Sequence, residues 1–218
     1  MLGQSITKNS LILGAFAAAT AAIIAITFQS TKTRILQEER KAASAALIDM
    51  VPASRHDNDM LADTLWASAA DSRALGFDAP VALHVAKLNG KTTALIIPSL
   101  ARDGYSGDIK LIIAINTDGT LAGARVLAHK ETPGLGDKID LRKSPWMHSF
   151  KGLSLTTPPA EQWKVKKDGG VFDQFTGATI TPRAVIKRIK STLELYQQRR
   201  TEWLDAAKIL PQQESTRE

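Results

Sequence analysis

From Asn9 to Thr31 the chain carries no charged residue, and Leu11 to Phe28 is built almost wholly from Leu, Ile, Ala and Phe. A membrane-spanning helix needs roughly 20 mostly apolar residues. The pattern therefore predicts a single transmembrane helix over residues 9–31, after a short N-terminal tail over 1–8. Thr20 and Thr27 can return their hydroxyls to carbonyls of the same helix. From Arg34 to Val51 the chain is rich in Ala, Leu and Ile and is stopped by Pro52, which reads as a helix carrying the anchor into an aqueous domain. Arg55 to Ala79 is mixed and polar, with room for a short strand or turn, so 32–79 is read as a stalk helix and connecting region.

Two readings compete with an anchor. One is a buried core helix, which rarely lacks charge for so long. The other is a cleaved signal, since Lys8 supplies a positive n-region and Ala-x-Ala triplets occur inside the run. The run exceeds the ~7–15 residues of a signal core, and no small-residue site closes it. Flanking charge bears on orientation through the positive-inside rule. Lys8 and the α-amino group precede the span, whereas Lys32, Arg34, Arg40 and Lys41 come after it, which by itself favours a cytoplasmic domain.

Beyond residue 80 the periodicity changes. Val81, Leu83 and Val85 alternate with less apolar positions, Asn89-Gly90 supplies a hairpin turn, and Lys91 to Ile97 runs on as a second strand. Gly104-Tyr105-Ser106-Gly107 is a loop. Ile109, Leu111, Ile113 and Ile115 give period-2 alternation, and Asp118-Gly119 turns the chain into a further strand over Leu121 to Ala128. The spacing predicts an antiparallel meander with one face buried, a short helical piece at Pro145 to Phe150, a strand near Trp163 to Lys166, and a turn at Asp168-Gly169-Gly170. A last helix is predicted with Thr181 as N-cap and Pro182 at its first position, its apolar stripe formed by Val185, Ile186, Ile189, Leu193 and Tyr196. The fold class is α+β: one transmembrane helix, then one antiparallel-sheet domain over 80–205 packed with helices, then a polar tail over 206–218.

Composition narrows the chemistry. There is no cysteine among the 218 residues, which removes disulfides, thiolate-bound iron–sulfur clusters, Cys-x-x-Cys-His haem attachment and zinc ribbons. His56, His84, His129 and His148 are scattered without metal-ligand spacing, so no metal site is expected. Redox chemistry in such a chain requires an organic cofactor. The net charge of +6 gathers partly in Arg183, Lys187, Arg188, Lys190, Arg199 and Arg200. On a helix tethered to a membrane that is a solvated face, and no nucleic-acid partner is expected.

Two segments carry candidate chemistry. In Asp173 to Thr181, Gly177 and Ala178 permit close backbone approach just before a helix start, where unpaired amides and the positive dipole end suit a phosphate. Thr176, Thr179 and Thr181 add hydroxyls. The same residues also fit a plain turn into a helix with capping threonines. In His129 to Lys138, Gly134 and Gly136 flank Leu135 after Pro133, a loop able to lie against a planar ligand with Thr132 nearby; a surface turn reads the same way.

Together these segments resemble the FMN-binding domain family, and within it the G subunits of Rnf/Rsx ion-translocating electron-transport complexes. The resemblance runs through the anchor, Gly104-Tyr105-Ser106-Gly107, Glu131-Thr132-Pro133-Gly134-Leu135-Gly136-Asp137-Lys138, Lys166-Lys167-Asp168-Gly169-Gly170 and Phe172 to Val185. The family's flavinylation signal is matched by Asp173, Thr176, Gly177, Ala178 and Thr179. The resemblance implies an electron-transfer subunit with no catalytic residues of its own. It implies FMN joined through its phosphate to Thr179 as a phosphoester, and added by a separate flavin transferase that reads Asp173. It further implies cofactor contacts from Thr132, Gly134, Leu135, Gly136, Thr176, Gly177 and Ala178. The other subunits of the complex are the implied partners, and a bacterial inner membrane with the FMN domain on the periplasmic side is the implied location. The C subunit of sodium-pumping NADH:quinone reductase has a similar motif, but the short chain and the Thr-Gly-Ala-Thr-Ile-Thr-Pro-Arg wording favour the Rnf/Rsx type. An independent flavoenzyme with its own acid or base, and a cofactor-free tethered module, are the readings from other classes.

Overall fold

A computed structural model describes residues 2–210. The chain divides into two compact units, residues 1–42 and 43–218. Helix α1 (Leu2–Met50) supplies all of the first unit that is described and the opening turns of the second. Within it Lys8–Lys32, 25 residues, is long and apolar enough to cross a membrane, and none of that stretch is buried by protein. Hydroxyls of Thr20, Thr27, Ser30 and Thr31 bond back to carbonyls of the same helix, which suits a lipid surrounding. Thr20 Oγ1 donates to the Phe16 carbonyl and Thr27 Oγ1 to that of Ile23, each at 2.8 Å.

The second unit is an antiparallel sheet in strand order β1 to β5: β1 (Thr64–Trp66), β2 (Ala82–Leu88), β3 (Lys91–Gly104), β4 (Gly107–Asn116) and β5 (Leu121–Ala128). A short helix α2 (Ala69–Ala74) follows β1, and the long α3 (Ile180–Ile209) lies against β3. The β2–β3 hairpin turns on Asn89 and Gly90 with φ of 51° and 73°, the left-handed pair a tight two-residue turn requires. The 14-residue β3 runs well past Ile97 to Gly104, where it meets Gly107 across the next hairpin.

Both faces of the sheet are covered, not one. Leu95, Ile97, Leu111, Ile113 and Ile115 face α3 through Val185, Ile189, Leu193 and Tyr196. The opposite residues, Ala94, Ile96, Ile112 and Ala114, pack with Leu47, Met50, Val51 and Met60. The second face escapes a strict period-2 reading because Ile112 and Ala114 make β4 a continuous apolar run. The packing there is close. A Cβ on Gly123 of β5 would lie 2.9 Å from Met50 Cγ. Each fully buried Leu or Ile in these layers contributes about 1.5–3 kcal/mol.

Other boundaries differ from the sequence reading. β1 pairs with β2, and Leu47, Met50 and Val51 belong to the core, so the sheet unit draws in residues ahead of the expected start at 80. Trp163 to Lys166 forms no strand. Val165 makes one parallel bridge to Phe172, and Lys166–Asp168 is a 3₁₀ turn ended by Gly169 at φ 82°. The piece at Pro145–Phe150 is also 3₁₀, with the Ser144 hydroxyl capping the Trp146 amide. At its far end α3 continues to Ile209 and buries Ala207, so the boundary expected at 205 falls inside the helix. Of the tail expected over 206–218, residues 211–218 lie outside the described residues.

Candidate functional site

The two glycine-bearing segments converge with the β3–β4 hairpin tip on a cavity of about 270 Å³ at the start of α3. Thr132, Leu135, Gly136, Gly177, Ala178 and Thr179, all expected from sequence, line it. Thr181, expected to add a hydroxyl there, lines it too, and so do Tyr105, Glu131 and Ile180, to which the sequence gives no role there. Gly134 and Thr176 are exposed on the same loops but are not part of the lining.

Local chemistry explains each wall. In the first loop the Thr132 carbonyl accepts from the amides of Leu135 and Gly136, both at 3.1 Å, and Gly134 takes φ 78° to close the turn. The second wall is a turn in which the Ala178 amide donates to the Phe175 carbonyl at 3.1 Å, with Gly177 at φ 79°. An L residue at Gly177 would be strained, and its Cβ would come within 3.2 Å of Leu135 Cδ2. Phe175 anchors this turn by packing edge-on to Trp146, ring centroids 5.0 Å apart. The third wall is the hairpin tip, where Tyr105 stands 67% exposed.

Helix α3 begins earlier than the sequence suggested. Ile180 is its first residue and Thr179, already in right-handed helical conformation at φ −90° and ψ −26°, is the N-cap. Thr181 lies inside the first turn and is fully buried. Its hydroxyl donates to the Glu131 carboxylate and does not cap the helix. The Thr179 hydroxyl makes no cap bond, and Thr179 is half-buried on the cavity wall. A helix leaves its first amides without internal partners; here Ile180 and Thr181 carry such amides beside the free hydroxyl of Thr179.

Asp173 sits outside the cavity. Its carbonyl accepts from Trp146 Nε1 at 2.9 Å, and its exposed carboxylate pairs with Lys166 Nζ at 2.6 Å. Nearby, both Asp168 oxygens accept from Arg183 at 2.7 Å, tying the 166–169 turn to the first turn of α3. The Arg183 hydrogen bonds hold the Asp168 carboxyl below the usual carboxylate range and raise the guanidinium.

Glu131 is the residue that the sequence reading passed over. It is 4% exposed, and it accepts from the Ser106 amide at 3.0 Å and from the Thr181 hydroxyl. A charged residue in a loop reads as solvent-facing, and its signal in the sequence was only its place beside Thr132. Of the residues lining the cavity, Tyr105 and Glu131 are the ionisable ones; no His or Lys is among them. No group of metal-ligand residues occurs among the described residues.

The donor set fits FMN. Amides and a free hydroxyl at a helix start suit a phosphate, and a glycine loop and a tyrosine lining the same cavity suit a flat ring. At about 270 Å³ the cavity lies below the roughly 300–1,000 Å³ usual for small-molecule sites, so one edge of the ligand would remain open.

Comparison with known proteins agrees with this geometry. Residues 104–194 match the FMN-binding domain, and residues 1–49 match the RnfG N-terminal region. Similar proteins are named as the G subunit of an ion-translocating oxidoreductase complex. That of Vibrio vulnificus is 48% identical over 93% of this chain and 94% of the relative. That of Pseudomonas aeruginosa is 45% identical over 88% and 89%, and that of Shewanella amazonensis 44% over 93% of each. The chain therefore belongs to the family of G subunits of ion-translocating oxidoreductase complexes.

Proposed function

We propose that this chain is a membrane-anchored electron-transfer subunit whose FMN is joined by a phosphoester bond to Thr179 Oγ1. The observation that carries the reading is the meeting of Thr179, its hydroxyl unspent on helix capping, with the Thr132–Gly136 loop across one cavity. Bound there, FMN supplies reversible one- and two-electron chemistry. The residues supply binding and placement. Amides of Ile180 and Thr181 would hold the phosphate, Gly177 and Ala178 would let the backbone approach it, and Thr132, Leu135 and Gly136 would border the ring. Gly134 and Thr176 set the turns that hold those contacts.

Attachment calls for an outside enzyme. No cavity-lining residue is a His, Lys or Cys able to take the Thr179 proton, and Glu131 is already engaged by two donors. Condensation of the hydroxyl with free FMN would have to expel water in water. A flavin dinucleotide donor instead lets Oγ1 bond to the FMN phosphorus while a nucleoside monophosphate leaves and the hydroxyl proton passes to the transferase. Asp173, exposed on the rim of the same segment, is the residue such an enzyme would read.

The partners in this reading are the flavin transferase, the membrane and the remaining subunits of the complex. The FMN domain faces the periplasm, where a covalent link prevents loss of a cofactor that no local pool replaces. The charges flanking the span lean the other way, so topology needs its own test: a reporter fused at the C-terminus should be active only on the extracytoplasmic side. The central test expresses the chain with and without a transferase. Fluorescent flavin should survive denaturing electrophoresis, with a mass increase on the peptide containing Thr179. Loss of both in Thr179→Ala supports the site. Absence of covalent flavin from the unaltered chain with active transferase refutes the linkage.

A further inference from the structure

Glu131 presents a physical puzzle. A carboxylate removed from water is tolerated only when donors replace the lost hydration, and apolar packing is often the more stable alternative. Its two donors come from segments far away in sequence, the Ser106 amide 25 residues before it and the Thr181 hydroxyl 50 residues after it. Both segments contribute to the cavity wall, through Tyr105 and Thr181. Ser106 follows Tyr105 at the hairpin tip, and Thr181 follows Thr179 and Ile180 at the start of α3.

The surrounding backbone is cut to fit this side chain. A Cβ on Gly104 would fall on the Gly107 carbonyl oxygen and lie 2.9 Å from Glu131 Oε1. A Cβ on Gly136 would lie 2.8 Å from Thr181 Oγ1 and 3.0 Å from Glu131 Oε2. Gly104 also answers to the hairpin's own backbone, whereas Gly136 has neither a positive φ nor any closer neighbour than Thr181 and Glu131 to explain it. Three segments thus close on one carboxylate that itself lines the cavity.

We propose that Glu131 is a positioning residue for the flavin, its buried carboxylate fixing the spacing between the Tyr105 hairpin tip and the Thr179 helix start so that the ring is held in one orientation. The inference rests on the reading that FMN occupies this cavity. Covalent attachment needs Thr179 and the transferase, whereas ring order needs Glu131. The two are therefore separable.

The experiment uses the full chain co-expressed with a flavin transferase, in detergent, comparing the unaltered protein with Glu131→Gln, Glu131→Ala and Thr181→Val. Covalent flavin per chain is read by absorbance after denaturation. Ring order is read by visible circular dichroism and flavin fluorescence anisotropy, and folding by tryptophan emission. Glu131→Ala should keep covalent flavin yet lose roughly twofold or more of the visible dichroism, with anisotropy falling in step. Glu131→Gln should retain most of the signal, because its carbonyl accepts from Ser106 and its amide donates to the Thr181 oxygen. A folded, flavinylated Glu131→Ala with unaltered ring signals overturns the proposal, as does a Glu131→Gln as disordered as Glu131→Ala. If Glu131→Ala fails to fold, Thr181→Val decides: loss of ring order supports the proposal and full ring order overturns it. Absence of covalent flavin from the unaltered chain instead refutes the proposed linkage to Thr179, on which this comparison of attached flavin rests.

Discussion

Thr179 and Thr181 stand two residues apart at one helix start, and the structure assigns them opposite energetics. Thr181 is fully buried and donates to the Glu131 carboxylate. A hydrogen bond to a charged group is worth about 1.5–3 kcal/mol, and the Thr181→Val change keeps the volume while leaving Glu131 with Ser106 as its remaining donor. The expected loss is about 2–3 kcal/mol. An N-cap threonine replaced by alanine ordinarily costs about 0.5–2 kcal/mol. Thr179 makes no cap bond, so Thr179→Ala should fall within about 0.5 kcal/mol of the unaltered protein. The assay is thermal or urea unfolding of the flavin-free chain in detergent, followed by tryptophan emission. Trp66, Trp146, Trp163 and Trp203 all lie in the sheet unit, so the membrane-spanning stretch is silent. At roughly 2–4 °C per kcal/mol for a domain of this size, Thr181→Val should lower the midpoint by about 4–12 °C and Thr179→Ala by about 2 °C at most. A costly Thr179→Ala beside a neutral Thr181→Val would show that the hydroxyls have their roles reversed.

Burial pushes the His84 imidazole below its ordinary value, partly offset by its bond to the Met60 carbonyl, 3.0 Å away, and by Asp59. Stability should be level above about pH 6.5, then fall as the unfolded chain takes up a proton the folded chain resists. The slope should not exceed about 1.4 kcal/mol per pH unit, and His84→Gln should flatten it in the same unfolding assay. Gly170→Ala should cost about 1–3 kcal/mol or more, because the added Cβ would fall on the Lys164 backbone; an unchanged midpoint would refute that packing. Trp146→Phe keeps the ring against Phe175 but removes the donor to the Asp173 carbonyl. It should slow flavin attachment by a co-expressed transferase more than it lowers the unfolding midpoint, measured as a time course of in-gel fluorescence.

How much of the fold the sequence disclosed depends on the range of the interactions. The Asn89-Gly90 hairpin and the alternation in β4 are local signals, and both fold as the pattern implies. The short β1 offers one buried side chain, Leu65, between Thr64 and an exposed Trp66, too little to register as a period. Trp163 and Val165 are buried as a strand pattern would have them, but the chain turns at once to close on Phe172, with Gly170 pressed on Lys164. The cavity followed the same division. Its glycines and threonines were legible because they are turn and helix-start residues. Glu131 and Tyr105 owe their places to contacts between distant segments, which no local window contains.

That division bears on the proposed attachment residue. A helix start ordinarily needs the hydroxyl of its N-cap for its own amides. Here the start of α3 is secured by other means, through Thr181 on Glu131 and Arg183 on both oxygens of Asp168. The Thr179 hydroxyl is thereby released from a structural duty, while its backbone stays fixed in helical conformation beside unpaired amides. A residue held in place by its neighbours, with a side chain that nothing in the fold requires, can be modified without loss of stability. The phosphoester would then supply oxygens to helix-start amides that the bare chain leaves to water. Attachment of FMN should therefore raise the unfolding midpoint of the sheet unit, and Thr179→Ala, stable as it is, should lose that increment.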